Sequence, residues 1–212
     1  MPRIDDYREA LELGRNELSG KNPDLIAGFS GALINRDKKG NTSLSLDFLN
    51  RKIIISWPDQ VFSYADSEEE ISIEQQILIL HYLKGTLSSS GSDITGEWIA
   101  FQDVPDGKFY IDAFHRRAKN PMVQAFGNRP EVLADLAANT FGAVISDQGD
   151  LSIVIKALPL VPVSLIIWKG DEEFPPEGNV LFDRNILDIL SAEDIAWLSG
   201  MVVYPLIGMA KG

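Results

Sequence analysis

Thr42-Ser43-Leu44-Ser45-Leu46-Asp47-Phe48, then Asn50-Arg51, then Lys52-Ile53-Ile54-Ile55-Ser56-Trp57 is the stretch on which the fold reading turns. Leu44, Leu46 and Phe48 alternate with Ser43, Ser45 and Asp47. Successive side chains of a strand point to opposite faces, so a period of two gives one apolar and one polar face. Asn50-Arg51 reverses the chain, and Val61-Phe62-Ser63-Tyr64 follows after Pro58-Asp59. An antiparallel meander is predicted.

On its N-terminal side the period lengthens. Tyr7, Ala10, Leu11, Gly14 and Leu18 recur three and four residues apart, as on one face of a helix that Gly20 ends. Asn22 then caps a short helix with Pro23 at its first position, where a missing N–H does no harm. Gly28, Ser30 and Gly31 close that helix. On the C-terminal side, the acidic run 66–70 reads as a solvated loop. Ser72 and Gln75 form a capping box for a helix over 73–84, with Gly85 just past its end. Residues 86–96 read as a flexible loop and Trp98 opens a short strand. Asp112 caps a helix through Lys119, and Asn120-Pro121 and Arg129-Pro130 begin two more. Residues 143–146 and 151–156 pair as a hairpin, and 163–168 form a further strand. Ser191, with Asp194 three residues on, caps a last helix that Pro205 and Gly208 end.

Strand clusters and helix clusters are segregated, with no regular βαβ alternation. The predicted class is α+β, an antiparallel sheet of hairpins packed against segregated helices, as a single domain over 1–212.

A net charge of −12 would repel a phosphate backbone, so nucleic acid is not the expected partner. The chain has no cysteine, which excludes disulfides, thiolate zinc sites and cysteine nucleophiles. Met1 to Asp6 turns polar at once and predicts no secretory signal. The longest apolar run, 157–168, contains Pro159, Pro162 and Ser164 and is shorter than the roughly 20 residues of a membrane helix. A cytoplasmic protein is expected. Neither G-x-x-x-x-G-K-[ST] nor G-x-G-x-x-G occurs, so nucleotide binding by those routes lacks support.

Five groups of side chains could carry chemistry. Asp171, Glu172 and Glu173 lie in a loop between Trp168 and Pro175-Pro176. Asp171 and Glu173 with Asp183 could hold a hard divalent cation. Otherwise the loop is an acidic turn in which Asp171 accepts backbone N–H bonds, and this is the expected role. His81, on the stripe with Ile73 and Ile77, could be an axial ligand to a tetrapyrrole metal, or a core histidine. His115 precedes Arg116 and Arg117, the densest basic cluster with Lys119. Guanidinium groups there could hold a ligand carboxylate, or pair with Glu97 or the 171–173 carboxylates. Trp98 and Trp168 could line a pocket for a flat ligand, or serve as core anchors.

Taken together, His81-Tyr82-Leu83, Gly96-Glu97-Trp98-Ile99-Ala100-Phe101, Phe114 with Arg117, residues 168–175, Leu181-Phe182-Asp183 and Glu193-Asp194 resemble one family, domain of unknown function 3786. The resemblance covers about Tyr7 to Leu206. It implies an origin in anaerobic bacteria or archaea and an association with corrinoid or other tetrapyrrole metabolism. Some members carry a cysteine-rich iron–sulfur module, which this cysteine-free chain lacks. Three functions stay open. The first is a binding or accessory protein for a tetrapyrrole or corrinoid-type cofactor, through His81, Trp98, His115, Arg116, Arg117 and Trp168. The second is a hydrolase or lyase using Mg²⁺ or Mn²⁺ on Asp171, Glu173 and Asp183. The third is a partner-binding subunit, a homodimer included, joined through the hairpin at 151–168 or the terminal helix.

Overall fold

A computed structural model describes residues 4–211; Met1-Pro2-Arg3, part of the polar start read above, and Gly212 lie outside the described residues. The fold is α+β, with every paired strand antiparallel. The chain divides into two compact units. One runs up to Asp93 and takes in Leu158–Leu160 and Asp188–Leu190; the other comprises Ile94–Ala157, Val161–Leu187 and the segment from Ser191.

The first unit carries helices α1 (Ile4–Leu18), α2 (Pro23–Ser30) and α3 (Ile73–Ser88) and a sheet in the order β1 (Leu33–Arg36), β2 (Thr42–Phe48), β3 (Arg51–Trp57), β4 (Phe62–Tyr64). The meander forms as expected, but its first turn lies one residue earlier, at Leu49-Asn50, and Arg51 is already in β3, paired with Phe48. Leu44 pairs with Ile55 and Leu46 with Ile53, and all four are buried. Asn22 caps α2 through Asp24 N–H, and Gly31 ends it at φ +69°. The acidic run 66–70 is an exposed loop, as expected. Arg51 lies 3.5 Å over the Tyr64 ring and pairs with Glu69 at 2.8 Å and Asp66 at 3.7 Å, which ties the run to β3. Ser72 caps α3, but the Gln75 side chain accepts from the Tyr64 hydroxyl. Gly85 does not stop α3: the helix runs on to Ser88. Its glycine serves close approach instead, since a Cβ there would sit 1.9 Å from the Ile189 carbonyl oxygen.

The second unit has a sheet in the order β5 (Trp98–Ala100), β9 (Glu177–Asp183), β8 (Val161–Trp168), β7 (Leu151–Leu158), β6 (Val144–Ser146). The 151–168 hairpin, suspected as an exposed edge, is therefore interior, with β6 and β9 on its two sides. Two strands, β1 and β9, were not read from the sequence. β9 looks like loop because Gly178, Asn179 and a proline pair in front of it break the period-two pattern.

Helices α4 (Gly107–Phe114) and α5 (Asn120–Phe126) are joined without a break by a π-helical turn, His115–Lys119. The expected helix starts at Asp112 and Asn120 are thus both interior. Phe114, Ala118, Met122 and Phe126 form one buried stripe along this rod. Three α turns take about 11 residues. The stripe is a residue longer, and the wider π turn absorbs the excess. Pro121 cannot donate to the Arg117 carbonyl, so the turn also falls where a regular helix would be crowded. Helix α6 (Pro130–Phe141) buries Leu133, Ala137 and Phe141. The last helix, α7 (Ala192–Met209), opens on the Ser191/Asp194 capping box and continues through Pro205 and Gly208, which had been expected to end it. Pro205 is exposed, and its missing N–H leaves the carbonyl of Met201, four residues earlier, without its helical donor.

Candidate functional site

The second unit has a groove of about 620 Å³ between α5 and the end of α7. Its walls follow from helical spacing. Pro121, Gln124, Ala125 and Asn128 recur at i, i+3, i+4 and i+7, and Tyr204, Ile207 and Lys211 at i, i+3 and i+7. Arg129, in the turn before α6, completes the polar rim. Arg129 Nε donates to the Ala125 carbonyl at 3.0 Å, which fixes the guanidinium at the end of α5. Among the described residues no carboxylate, histidine or serine lines the groove. On a chain of net charge −12, this concave surface carries two cations and, among the described residues, no acid.

The basic π turn adjoins it. Gly200 of α7 lies under Arg117 and beside Tyr204: a Cβ there would meet Arg117 Cβ at 3.6 Å and Tyr204 Cδ2 at 3.7 Å. The Arg117 guanidinium sits 5.9 Å from the Trp197 ring centroid. Among the described residues neither Arg116 nor Arg117 forms an ion pair; Glu97, one expected partner, pairs with Arg184 at 2.7 Å. His115 lies against the Phe114 ring, which stacks on Phe101 at 4.3 Å. A second, smaller groove of about 350 Å³ borders the first and shares Gln124 with it. There Lys119 meets Glu177 at 3.7 Å. Pro176 closes on Gly127, where a Cβ would come within 2.6 Å, so the 170–176 loop is seated on the end of α5.

The other expected site residues do not converge. Trp98 pairs with Asp183 at one end of β9 and Trp168 with Glu177 at the other. Six residues of strand separate them, about 20 Å. The same geometry parts Asp183 from Asp171 and Glu173, and no group of three His, Asp or Glu among the described residues could hold a metal ion. His81 is on α3, in the first unit, whereas the remaining residues of the expected cofactor set are in the second.

Asp183 is buried and committed. One oxygen accepts from Thr95 N–H at 3.0 Å, the Thr95 hydroxyl at 2.9 Å and Asn185 N–H at 3.0 Å, and the other from Gly96 N–H at 2.6 Å. Burial pushes this carboxyl up, but the bonds from Thr95, Asn185 and Gly96 outweigh it and leave it below the ordinary carboxylate range.

Asp171 takes the structural role expected of it. Its Oδ1 accepts from Phe174 N–H at 2.7 Å and Glu173 N–H at 2.8 Å, while its own N–H donates to the Phe174 carbonyl. These bonds, Phe174 first, hold its carboxyl below the ordinary range. Asp171→Ala is expected to lower the urea midpoint measurably, and Glu172→Ala to leave it unchanged. A silent Asp171→Ala would contradict a structural role for this turn.

Sequence reading missed Gln124, Asn128, Arg129, Tyr204 and Lys211. The signal was Tyr204: an exposed aromatic in a helix otherwise buried on its apolar side. Ending the helix at Pro205 hid its spacing to Ile207 and Lys211. No curated protein and no solved structure is similar to the chain. Residues 22–204 match the model of one family, Domain of unknown function (DUF3786), and the chain belongs to that family.

Proposed function

We propose that this chain is a binding or accessory protein whose α5–α7 groove takes a flat ligand carrying carboxylates, with a tetrapyrrole or corrinoid as the first class to test. One observation carries this reading: the groove offers Arg129 and Lys211, the amides of Gln124 and Asn128 and the Tyr204 ring, and among the described residues no acid. Its volume, about 620 Å³, falls in the range of small-molecule sites, about 300–1,000 Å³. Guanidinium and ammonium groups bind carboxylates by charge-assisted hydrogen bonds, and an aromatic ring supports a flat apolar body.

Quenching of tryptophan fluorescence by protoporphyrin, haem and cobyrinic acid at low salt tests the reading, with Trp197 next to Arg117 as reporter. Binding in the micromolar range is expected for at least one ligand. The double variant Arg129→Gln/Lys211→Gln should weaken it roughly tenfold or more, for two lost charge-assisted contacts. No quenching up to millimolar ligand, or unchanged affinity in the double variant, would remove the proposal.

A further inference from the structure

We infer that Lys119 is a further cationic anchor for the same ligand and that Glu177 stands in for the ligand's carboxylate there. This rests on the groove reading above. Two observations support it. The smaller groove shares Gln124 with the larger, so the two lie side by side along α5. Lys119, the one cation in its lining, is held by Glu177 at 3.7 Å, a long contact to a carboxylate that is 67% exposed. An acidic side chain that touches a groove cation from the rim is placed as an incoming carboxylate would be, and can swing away at small cost.

The placement sets the ligand class. Lys119 precedes α5 and Arg129 follows it, so the two cations are separated by the length of that helix and its turn, about 10–15 Å. A molecule that engages both carries carboxylates on opposite edges. A ligand with all its acid on one edge would reach only Arg129 and Lys211.

Uroporphyrin, with carboxylates around its whole rim, and protoporphyrin, with both on one edge, are the two probes. Lys119→Gln should weaken uroporphyrin two- to fivefold, the range of an exposed ion pair, and leave protoporphyrin unchanged. Glu177→Gln should tighten uroporphyrin by a similar factor, because it removes the competing acid. A merely structural Lys119–Glu177 pair would not give effects of opposite sign. If Arg129→Gln weakens both probes while Lys119→Gln and Glu177→Gln change neither, or change uroporphyrin in the same direction, this inference fails and the groove reading stands. If neither porphyrin binds the wild type, the groove reading fails and the inference with it.

Discussion

Gly85→Ala is expected to shift the urea unfolding midpoint far below that of the wild type, a loss of about 3 kcal/mol or more. The added methyl would lie 1.9 Å from the Ile189 carbonyl oxygen, 2.8 Å from its carbon and 3.0 Å from its Cα. All three atoms are backbone, so no rotamer change relieves the overlap. Either α3 or the Asp188–Leu190 segment must move, within a unit whose helix buries Ile77, Leu78, Tyr82 and Leu83. Tyr82 shows how closely α3 is tied there, since its hydroxyl donates to the Ser30 carbonyl and accepts from Leu160 N–H. Gly28→Ala is the matching control. It lies inside α2 with nothing within 4 Å of the added Cβ. It should stabilise by about 0.5–1 kcal/mol, because alanine loses less backbone entropy than glycine in a helix. Two glycine-to-alanine changes in helices thus carry opposite signs. Equal effects would mean that the contact at Ile189 is not what Gly85 serves.

Asp183→Asn is the second large effect, at about 2–3 kcal/mol near neutral pH. The carboxylate accepts from four donors, and an amide must turn an NH₂ toward at least one of them. The loop carrying Thr95 and Gly96 then loses its clamp to the end of β9. The pH dependence identifies the cause. The folded carboxyl lies below its ordinary value, so its charged form stabilises the fold above the unfolded value of about 3.9. That contribution is lost as pH falls through the folded value. The stability gap between wild type and Asp183→Asn, measured by urea denaturation, should therefore be constant above about pH 5 and shrink below pH 4. A gap independent of pH down to pH 2 would assign the loss to shape and not to charge.

Where an element is marked by neighbours in the chain, the sequence alone located it. The meander from Thr42 to Tyr64, the Asn22 and Ser191 caps and the Asp171 turn depend on period two and on side chains bonding backbone two or three residues away. The α+β class followed from the same local signals. Glycine and proline misled as punctuation. Gly85, Pro205 and Gly208 read as helix ends and Pro121 as a helix start, and all four lie inside continuous helical segments. Local propensity treats them as breaks, whereas packing keeps the helix going when its buried stripe outweighs one lost bond. Gly85 is required by a carbonyl more than a hundred residues away in the chain, which no local pattern can contain.

The candidate site divides in the same way. The sequence by itself determined that Arg116, Arg117 and Lys119 form the basic cluster on an acidic chain and favoured a turn for Asp171 over a metal site, and the structure supplied the bonds from Glu173 and Phe174. Only the tertiary structure decided that Trp98 and Trp168 stand at opposite ends of β9, because strand order is set by sheet pairing and not by spacing in the chain. It alone committed Asp183 to Thr95, Gly96 and Asn185, and brought Arg129 of one helical turn beside Lys211 of another. The physical reason is the reach of the forces. Caps and turns are fixed by hydrogen bonds over three or four residues, whereas a groove is the space left when two apolar stripes pack, and its polar rim is whatever the outer faces carry.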